Sequence, residues 1–350
     1  MSLARLAWLV ACTGLLAPMG LATAADAVSK PAWETSRATS PETAEELRAL
    51  QERVKQVAKK TTPCTVGILI GQGAGSGVIV SEDGLVLTAA HVIGKPRQTC
   101  IMVLSDGSTV KGETLGVNAR ADSGMLRITE KPPKDASWPG AKEGKWPFVE
   151  VGKSTDLKVS QWLVSLGHPG GPKQERPPPV RVGRLRSQSM SKTEPVISTD
   201  CTLVGGDSGG PLFDLDGKVV GIHSRIGLFL EQNMHIPTDK FKDEWTRLAR
   251  GDNVGRKSDA ELGLTLETKA GKATVATVDE DGPAWKADMD EGDVIVKFNG
   301  FPVASASDLA DILSSYSSGD KVKIEGLRDK VPFTAELKLR KIPGKAIRKN

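Results

Sequence analysis

A glycine-rich turn beyond the middle of the chain holds the first residue that could do chemistry. The string Gly205-Gly206-Asp207-Ser208-Gly209-Gly210-Pro211-Leu212 permits a tight backbone turn, because glycine tolerates left-handed conformations. Such a turn exposes a serine hydroxyl, and two backbone N–H groups beside it can face a developing oxyanion. The turn therefore predicts Ser208 as a nucleophile and the N–H groups of Gly206 and Ser208 as an oxyanion hole.

A histidine and an aspartate precede this turn in a chain order known from one class of catalytic triad. His91 lies in the string Leu87-Thr88-Ala89-Ala90-His91-Val92, just after a strand-like run, and Asp122 precedes the β-rich run that ends at Ile128. A histidine can take the proton of a nucleophilic serine, and an acid on the other ring nitrogen fixes its tautomer. His91, Asp122 and Ser208 together predict acyl-transfer chemistry.

Other motifs give weaker signals. The loop 71–77 lacks the lysine of a phosphate-binding loop and precedes no predicted helix, which favours a hairpin. The four histidines form no His-Glu-x-x-His motif and no cluster with cysteines, so we expect no metal and no cofactor. His235 is interpreted as a packing residue.

Composition favours a β-rich scaffold for these residues. The 350 residues include 37 glycines and 21 prolines but only 4% aromatic residues, which predicts many turns between short strands. The formal net charge is only +4, whereas nucleic-acid-binding proteins typically carry a concentrated patch of positive charge. We therefore expect no nucleic-acid partner.

Short apolar runs between residues 62 and 236 predict an all-β body. The predicted strands cover residues 65–70, 77–80, 85–88, 101–104, 126–128, 163–166, 180–183, 196–199 and 219–223. Two proline-rich stretches, 131–147 and 167–179, are interpreted as a barrel-to-barrel connection and a long surface loop. A helix over 239–250 closes the body.

A smaller second module is predicted to follow. Strand-like runs around a helix that opens with the capping box Ser305-x-x-Asp308 indicate a small α+β domain over 260–342. The polar segment 251–259 fits a linker. Residues 343–350 form a basic tail.

The N-terminus has the features of a secretory signal peptide over residues 1–25. Arg5 precedes an uncharged run that ends in Ala22-Thr23-Ala24, and we expect cleavage near Ala24. The run is also just long enough for a retained membrane anchor, and Cys12 lies in a string that resembles a lipoprotein box. A secreted or periplasmic protein is expected, with membrane contact only through a retained N-terminus.

Residues 26–60 are predicted to form a polar segment and then an amphipathic helix. Ser40 is interpreted as its cap and Pro41 as its first residue. Its apolar stripe is expected to pack on the body of the protein or on a sister subunit. Three cysteines follow, Cys64, Cys100 and Cys201; Cys64 and Cys100 either form a disulfide or are two buried free thiols.

These motifs as a set resemble the HtrA/Deg type of chymotrypsin-like serine protease with one C-terminal PDZ domain. The resemblance spans about residues 45 to 342 and rests on the strings around His91, Asp122 and Ser208, on Gly75-Ser76-Gly77, and on Leu262-Gly263-Leu264. It implies a mainly β fold, with a double six-stranded β-barrel protease domain over 61–250 and a PDZ domain over 260–342.

The resemblance also implies an activity and partners. It implies an ATP-independent endopeptidase that degrades or processes misfolded envelope proteins, and a homotrimer. The PDZ domain would bind the C-termini of substrates or activating peptides by strand addition. The residues expected to contact that peptide are Leu262, Gly263, Leu264, Leu309, Ile312 and Leu313, although the apolar ones could instead be core.

Substrate specificity is predicted from the residues before the nucleophile. Thr202 stands six residues before Ser208, where an acidic residue would select Lys or Arg, and Leu203 follows it. His223 and Ser224 are expected near the pocket wall. Cleavage after small or medium aliphatic residues is therefore predicted.

Three features depart from the family pattern. Asp207 stands where the family pattern has an asparagine, and digestive-type relatives with an aspartate there pair it with a newly cut amino terminus. Here we hypothesise that Asp207 either pairs with an internal cation, Arg225 or Arg184, or stays partly hydrated. Asp122 is followed by Ser123-Gly124, which predicts a looser start of the strand. The segment 167–179, with His168 and five prolines, resembles a regulatory loop by position, with a rigid surface loop as the alternative.

Two alternative functions stay open. The unusual surroundings of Asp122 and Asp207 would fit a weakly active protease-fold chaperone or peptide-binding module. An uncleaved N-terminus would instead fit a signalling protease tethered to the membrane.

Overall fold

The computed structural model describes residues 40–133, 138, 143–191, 195–227, 232–254, 259–314 and 316–342. The predicted signal peptide, the polar segment before residue 40 and the basic tail lie outside the described residues. Within them the chain is mainly β, with two closed six-stranded barrels followed by a PDZ-type sheet with helices. This agrees with the fold that the resemblance implied.

Helix α1 (Ala44–Thr61) precedes the barrels and packs on them. The Thr43 hydroxyl caps it by accepting a hydrogen bond from Glu46 N at 3.1 Å, so the predicted cap at Ser40 was wrong by three residues. Leu50 and Val57 on its apolar stripe are buried in the core of the same chain. The body of the protein therefore covers most of that stripe, while Leu47 at its start stays exposed.

The first barrel is formed by six of the described strands. These are β1 (Thr65–Ile70), β2 (Gly73–Ile79), β3 (Leu85–Ala89), β4 (Thr99–Val103), β5 (Thr109–Asn118) and β6 (Ser123–Ile128). The order β5-β4-β1-β2-β3-β6 is closed by a β5–β6 pair, and a single turn of helix, α2 (Ala90–Ile93), follows β3. Strand β5 was not predicted from the sequence, because threonines and glycines take several of its positions.

The second barrel is closed by six further strands within the described segments. These are β7 (Trp162–Leu166), β8 (Val180–Ser189), β9 (Val196–Thr199), β10 (Pro211–Phe213), β11 (Val219–Ile226) and β12 (Asn233–Pro237), in the order β10-β11-β12-β9-β8-β7. Helix α3 (Thr238–Arg250) then lies on β5, where a Cβ at Gly116 would come within 2.5 Å of Leu248 Cα. One apolar cluster joins Leu87 and Met125 of the first barrel to Leu166 and Phe213 of the second.

The predicted linker 251–259 is only partly a linker. Residues Asn253–Val254 form strand β13, which pairs in parallel with the end of β5. The Ser314 hydroxyl donates to Asn253 O at 2.6 Å, and Arg250 lies 2.5 Å from Asp308. The connection is therefore bonded to both domains, while residues 255–258 lie outside the described part.

The C-terminal module contains the predicted capped helix. Its elements are β14 (Ala260–Glu261), β15 (Leu264–Lys269), β16 (Lys272–Val278), α4 (Pro283–Lys286), β17 (Val294–Phe298), β18 (Phe301–Pro302), α5 (Ala306–Leu313), β19 (Lys321–Arg328), β20 (Val331–Lys338) and β21 (Arg340–Lys341). The main sheet has the order β15-β16-β17-β19-β20. Ser305 Oγ accepts from Asp308 N at 3.1 Å, as the capping box predicts.

The cysteines of the described residues are not bridged. Cys64, Cys100 and Cys201 are buried free thiols, which decides between the two alternatives left open for Cys64 and Cys100. Burial raises the pKa of Cys64 to about 12 and that of Cys100 to about 11, so both stay protonated. No helix in the described ranges is long and apolar enough to cross a bilayer.

Candidate active site

The junction of the two barrels brings a histidine and a carboxylate together. His91 Nδ1 lies 2.9 Å from Asp122 Oδ1 and 2.9 Å from Asp122 Oδ2, so the ring donates to both carboxylate oxygens. The hydrogen bond to Asp122 raises the pKa of His91 above its ordinary value, against the opposing effect of burial. This arrangement leaves Nε2 as the ring nitrogen that can accept a proton.

Backbone geometry fixes Asp122 in this position. Its φ is +57°, a left-handed conformation that aspartate tolerates better than most residues. In this conformation Asp122 O accepts from Ala90 N at 2.7 Å, and Oδ1 also accepts from His91 N at 3.0 Å. Asp122 therefore holds both the backbone and the ring of the histidine.

Ser224 is a further hydrogen-bond donor to the Asp122 carboxylate. Its hydroxyl donates to Asp122 Oδ2 at 2.5 Å. Burial alone would raise the pKa of Asp122, but the hydrogen bonds from His91 and Ser224 outweigh it and lower the pKa. Ser224 was predicted near the pocket wall, and no sequence motif indicates that its hydroxyl donates a hydrogen bond to Asp122.

The strand that follows Asp122 is firmly anchored. Ser123 is fully buried, and its hydroxyl donates to Glu244 Oε2 at 2.8 Å. Glu244 Oε1 accepts from Asn118 Nδ2 at 2.5 Å and pairs with Lys240 at 2.8 Å. The predicted looser start of this strand was wrong, because a carboxylate from helix α3 ties it to β5.

Glu244→Ala is expected to destabilise the protein by about 1–3 kcal/mol, because it leaves buried polar groups of Asn118 and Ser123 without their acceptor. Chemical denaturation gives the free energy of unfolding. Asp243→Ala, at the exposed neighbouring position, is the matched control and should stay close to the parent protein. Equal stabilities for the two variants would contradict this role of Glu244.

The Ser208 turn has the conformation that its glycines predict. Gly206 has φ +96° and Gly209 has φ +83°. A Cβ at Gly209 would lie 2.1 Å from Thr88 Oγ1 and 2.2 Å from Ser76 O, so the turn packs directly on the end of β3. Since His91 follows β3, this packing brings Ser208 to the histidine side of the junction.

Backbone hydrogen bonds orient the two expected oxyanion donors. Gly205 O accepts from Gly170 N at 2.7 Å, and a planar trans peptide then points Gly206 N–H the opposite way. Among the hydrogen bonds of the described residues, none has the N–H of Gly206 or Ser208 as its donor. Both groups are thus available to a ligand.

The start of the segment 167–179 is a structural part of this turn. His168 is buried, and its backbone N–H donates to Ser76 Oγ at 2.9 Å. Ser76 Oγ in turn donates to Gly206 O at 2.9 Å. Burial lowers the pKa of His168 to about 4, so the ring is neutral near pH 7. Because His168 is buried, the segment 167–179 does not begin as a surface loop.

Asp207 has an internal cation, but a different one from those predicted. Its Oδ2 lies 3.0 Å from Arg181 Nη1. Arg225 contacts the Met234 sulfur instead, and the Arg184 guanidinium lies 4.2 Å from the centre of the Trp162 ring. The hypothesis that Asp207 pairs with an internal cation was therefore correct, but the cation is Arg181 and neither Arg225 nor Arg184.

Comparisons with known proteins agree with these observations. A profile of the trypsin-like peptidase domain matches residues 75–222, and one of the PDZ domain matches residues 260–339. A "Probable periplasmic serine endoprotease DegP-like" from Pseudomonas fluorescens is 34% identical over 286 residues, which cover 78% of this chain and 57% of the relative. The chain belongs to the HtrA/Deg family of serine proteases.

Two further matches are a curated relative and a solved structure. A "Probable periplasmic serine endoprotease DegP-like" from Halomonas elongata is 31% identical over 271 residues, covering 73% of this chain and 54% of the relative. The solved serine endoprotease from Yersinia pestis has 21% identity and a TM-score of 0.46, covering 83% of this chain and 98% of that one. The chain spans about half the length of the curated relatives that it matches.

The residues expected in the pocket of this HtrA-type protease lie in different environments. Thr202 is exposed, whereas Leu203 is buried and its N–H donates to Asn233 Oδ1 at 3.0 Å. His223 is fully buried, with Nδ1 2.9 Å from His235 Nδ1. The prediction that His223 lies near the pocket wall was therefore wrong, because its ring points into the second barrel.

The PDZ domain of this HtrA-type chain leaves one edge of its sheet open beside α5. Within the described sheet, β15 pairs with β16 alone. Helix α5 runs along the other side of β15, with Ala306 N donating to Thr268 Oγ1 at 3.2 Å. Gly263 precedes this edge with φ +72°, and a Cβ there would lie 2.7 Å from Pro283 Cδ.

The residues predicted to bind a peptide divide between core and groove. Leu262, Leu309 and Ile312 are buried in the core of the domain. Leu264 and Leu313 are only partly buried at its margin. The alternative that the apolar residues are core thus fits the first three.

Proposed function

We propose that this chain is a serine endopeptidase that acts through Ser208, His91 and Asp122. The observation that carries the proposal is the two-oxygen contact of Asp122 with His91 Nδ1, both at 2.9 Å, beside a nucleophile turn with two available N–H groups. This geometry matches the needs of acyl transfer, which are a nucleophile, an oriented base and oxyanion donors.

In this mechanism Ser208 Oγ attacks the scissile carbonyl while His91 Nε2 takes its proton. The N–H groups of Gly206 and Ser208 stabilise the oxyanion, and loss of one such donor costs about a hundredfold or more in kcat. His91 then returns the proton to the leaving amine, and water repeats the sequence on the acyl-enzyme. Asp122 holds the tautomer and stabilises the imidazolium that forms.

The proposed location and substrates are those of an envelope protease. The curated relatives are named periplasmic, and the predicted signal peptide supports export. Misfolded proteins are proposed as substrates, with the open edge of β15 and Leu264 and Leu313 binding C-terminal peptides by strand addition. A homotrimer is proposed from family membership. Most of the apolar stripe of α1 packs on its own chain, so Leu47, which stays exposed, is the residue of that stripe left for contact with a second subunit.

Labelling with a fluorophosphonate probe, combined with casein digestion, tests the endopeptidase proposal. The parent protein should be labelled and should digest casein without ATP, and Ser208→Ala should do neither. Casein binding without labelling or digestion would instead support the chaperone alternative. The complete hydrogen bonding of Asp122 favours an active enzyme over that alternative.

The pH dependence of activity follows from the raised pKa of His91. The ring must be neutral to accept the Ser208 proton, so kcat/KM should fall as the pH drops through the pKa of His91 in the free enzyme. Because Asp122 raises that pKa above the ordinary value of 6.5, the acidic limb should lie above pH 6.5. A pH profile with peptide substrate checks this, and a limb well below pH 6 would contradict it.

Cleavage specificity gives a further prediction. Thr202 brings no charge to the pocket, and the nearby acid Asp200 is engaged by Arg184 N at 2.5 Å. Peptides with Ala, Val, Ile or Leu before the scissile bond should therefore be cleaved at least about tenfold faster than those with Lys or Arg. Sequencing the products of a peptide library measures this ratio, and a preference for Lys or Arg would overturn the prediction.

A further inference from the structure

An ion pair lies directly beneath the nucleophile turn. The Asp207 side chain is 0% exposed, and its Oδ2 lies 3.0 Å from Arg181 Nη1. Arg181 is on β8 of the second barrel, and its side chain is 23% exposed. The Asp207 carboxylate is thus fully buried, while the Arg181 side chain reaches it from a partly exposed position on β8.

The backbone around Asp207 forms the turn itself. Asp207 Oδ2 accepts from Val204 N at 2.9 Å, Asp207 N donates to Val204 O at 3.1 Å, and Asp207 O accepts from Gly210 N at 2.8 Å. Asp207 stands between Gly206 and Ser208, which carry the two proposed oxyanion donors. The position of its carboxylate therefore sets the directions of both N–H groups.

One oxygen of the Asp207 carboxylate receives, from the described residues, no hydrogen bond that could help to stabilise the negative charge. Asp207 Oδ1 is buried without a hydrogen-bond partner among the described residues. A Cβ at Gly167 would come within 2.6 Å of Oδ1, so the carboxylate is closely enclosed. Removing one partner of a buried ion pair leaves an uncompensated charge, which is far more harmful than removing both.

We propose that Arg181 is a positioning residue, which keeps the oxyanion donors in their active directions by neutralising Asp207 from within the second barrel. The inference rests on the proposed peptidase function. Without Arg181, the buried charge of Asp207 favours movement of its side chain toward water. That movement rotates the Gly206 and Ser208 peptides away from the oxyanion.

Steady-state kinetics on a chromogenic peptide would compare Arg181→Met, Asp207→Asn and the double variant. Arg181→Met should lower kcat about a hundredfold with little change in KM, since oxyanion donors act on the transition state. Asp207→Asn should cost about tenfold or less, because Arg181 can turn to water and asparagine still accepts from Val204 N. The double variant should recover most of the kcat that Arg181→Met loses, because no charge is left uncompensated.

Arg186→Met is the matched control on the same strand. Arg186 is 55% exposed and lies 3.9 Å from Asp200, so this variant should keep the parent kcat. A general loss of positive charge or of strand stability would affect both arginine variants, whereas the proposed role affects Arg181→Met alone. Circular dichroism shows whether each variant is folded.

The outcomes separate this inference from the proposed function. A parent protein without Ser208-dependent turnover would overturn the proposed function itself. A folded Arg181→Met variant with the parent kcat in an active background would overturn only the role of Arg181. If Arg181→Met does not fold, a folded double variant with activity near that of Asp207→Asn supports the inference, and an inactive one overturns it.

Discussion

Ser208→Ala is expected to lower kcat/KM for a peptide substrate by about 10⁴-fold or more, because a methyl group cannot attack the scissile carbonyl. The turn itself should persist, since it is held through the backbone: Ser76 N donates to Ser208 O at 2.8 Å, and Gly209 N donates to His223 O at 2.7 Å. Hydrolysis of a chromogenic peptide, followed at a matched concentration of folded protein, measures the loss.

Ser187→Ala is the control for this change. Ser187 is exposed on β8 of the same barrel, so its replacement should leave kcat/KM unchanged. Both variants should melt close to the parent protein. Substantial peptide hydrolysis by Ser208→Ala would mean that the nucleophile is another residue, and the proposed mechanism would be wrong.

Asp122→Asn is expected to lower kcat by about 10⁴-fold near neutral pH, through the wrong histidine tautomer. An amide N–H facing His91 Nδ1 makes that nitrogen an acceptor, so Nε2 carries the proton and cannot take one from Ser208. The fold should tolerate the change, because asparagine accepts left-handed backbone conformations such as the φ of +57° at residue 122.

The pH profile distinguishes this tautomer effect from unfolding. Loss of the carboxylate removes the main cause of the raised His91 pKa, so the acidic limb of the residual activity should move to lower pH. Asp106→Asn, in an exposed turn, should change neither kcat nor the limb. A kcat for Asp122→Asn within tenfold of the parent would contradict the proposed role of Asp122.

Local sequence was a good guide to strands formed by short apolar runs. Strands β1 and β9 have the predicted bounds, 65–70 and 196–199. Strands β5, β10 and β12 were not predicted, because their polar, proline-containing or very short runs lack that pattern. They form strands because neighbours in a closed barrel supply their hydrogen bonds, a condition absent from any local window of sequence.

Partners of the side chains were the part that local sequence could not decide. Successive residues of a strand point to opposite faces, so Arg181 reaches Asp207 while Arg184, three positions along β8, lies on the Trp162 ring. On β11 the register shifts between His223 and Arg225. The shift leaves Ser224 outside the ladder, where its hydroxyl reaches Asp122.

The sequence by itself determined the nature of the proposed chemistry. The glycines around Ser208 and the order of His91 and Asp122 are local properties, since a turn needs particular residues at particular positions. Only the tertiary structure decided what surrounds these groups. It decided that Arg181 pairs with Asp207, that the Ser224 hydroxyl donates to Asp122 and that His223 is buried. The first two contacts join a strand residue to a residue in a turn or loop elsewhere in the chain, and barrel closure and strand register bring these residues together.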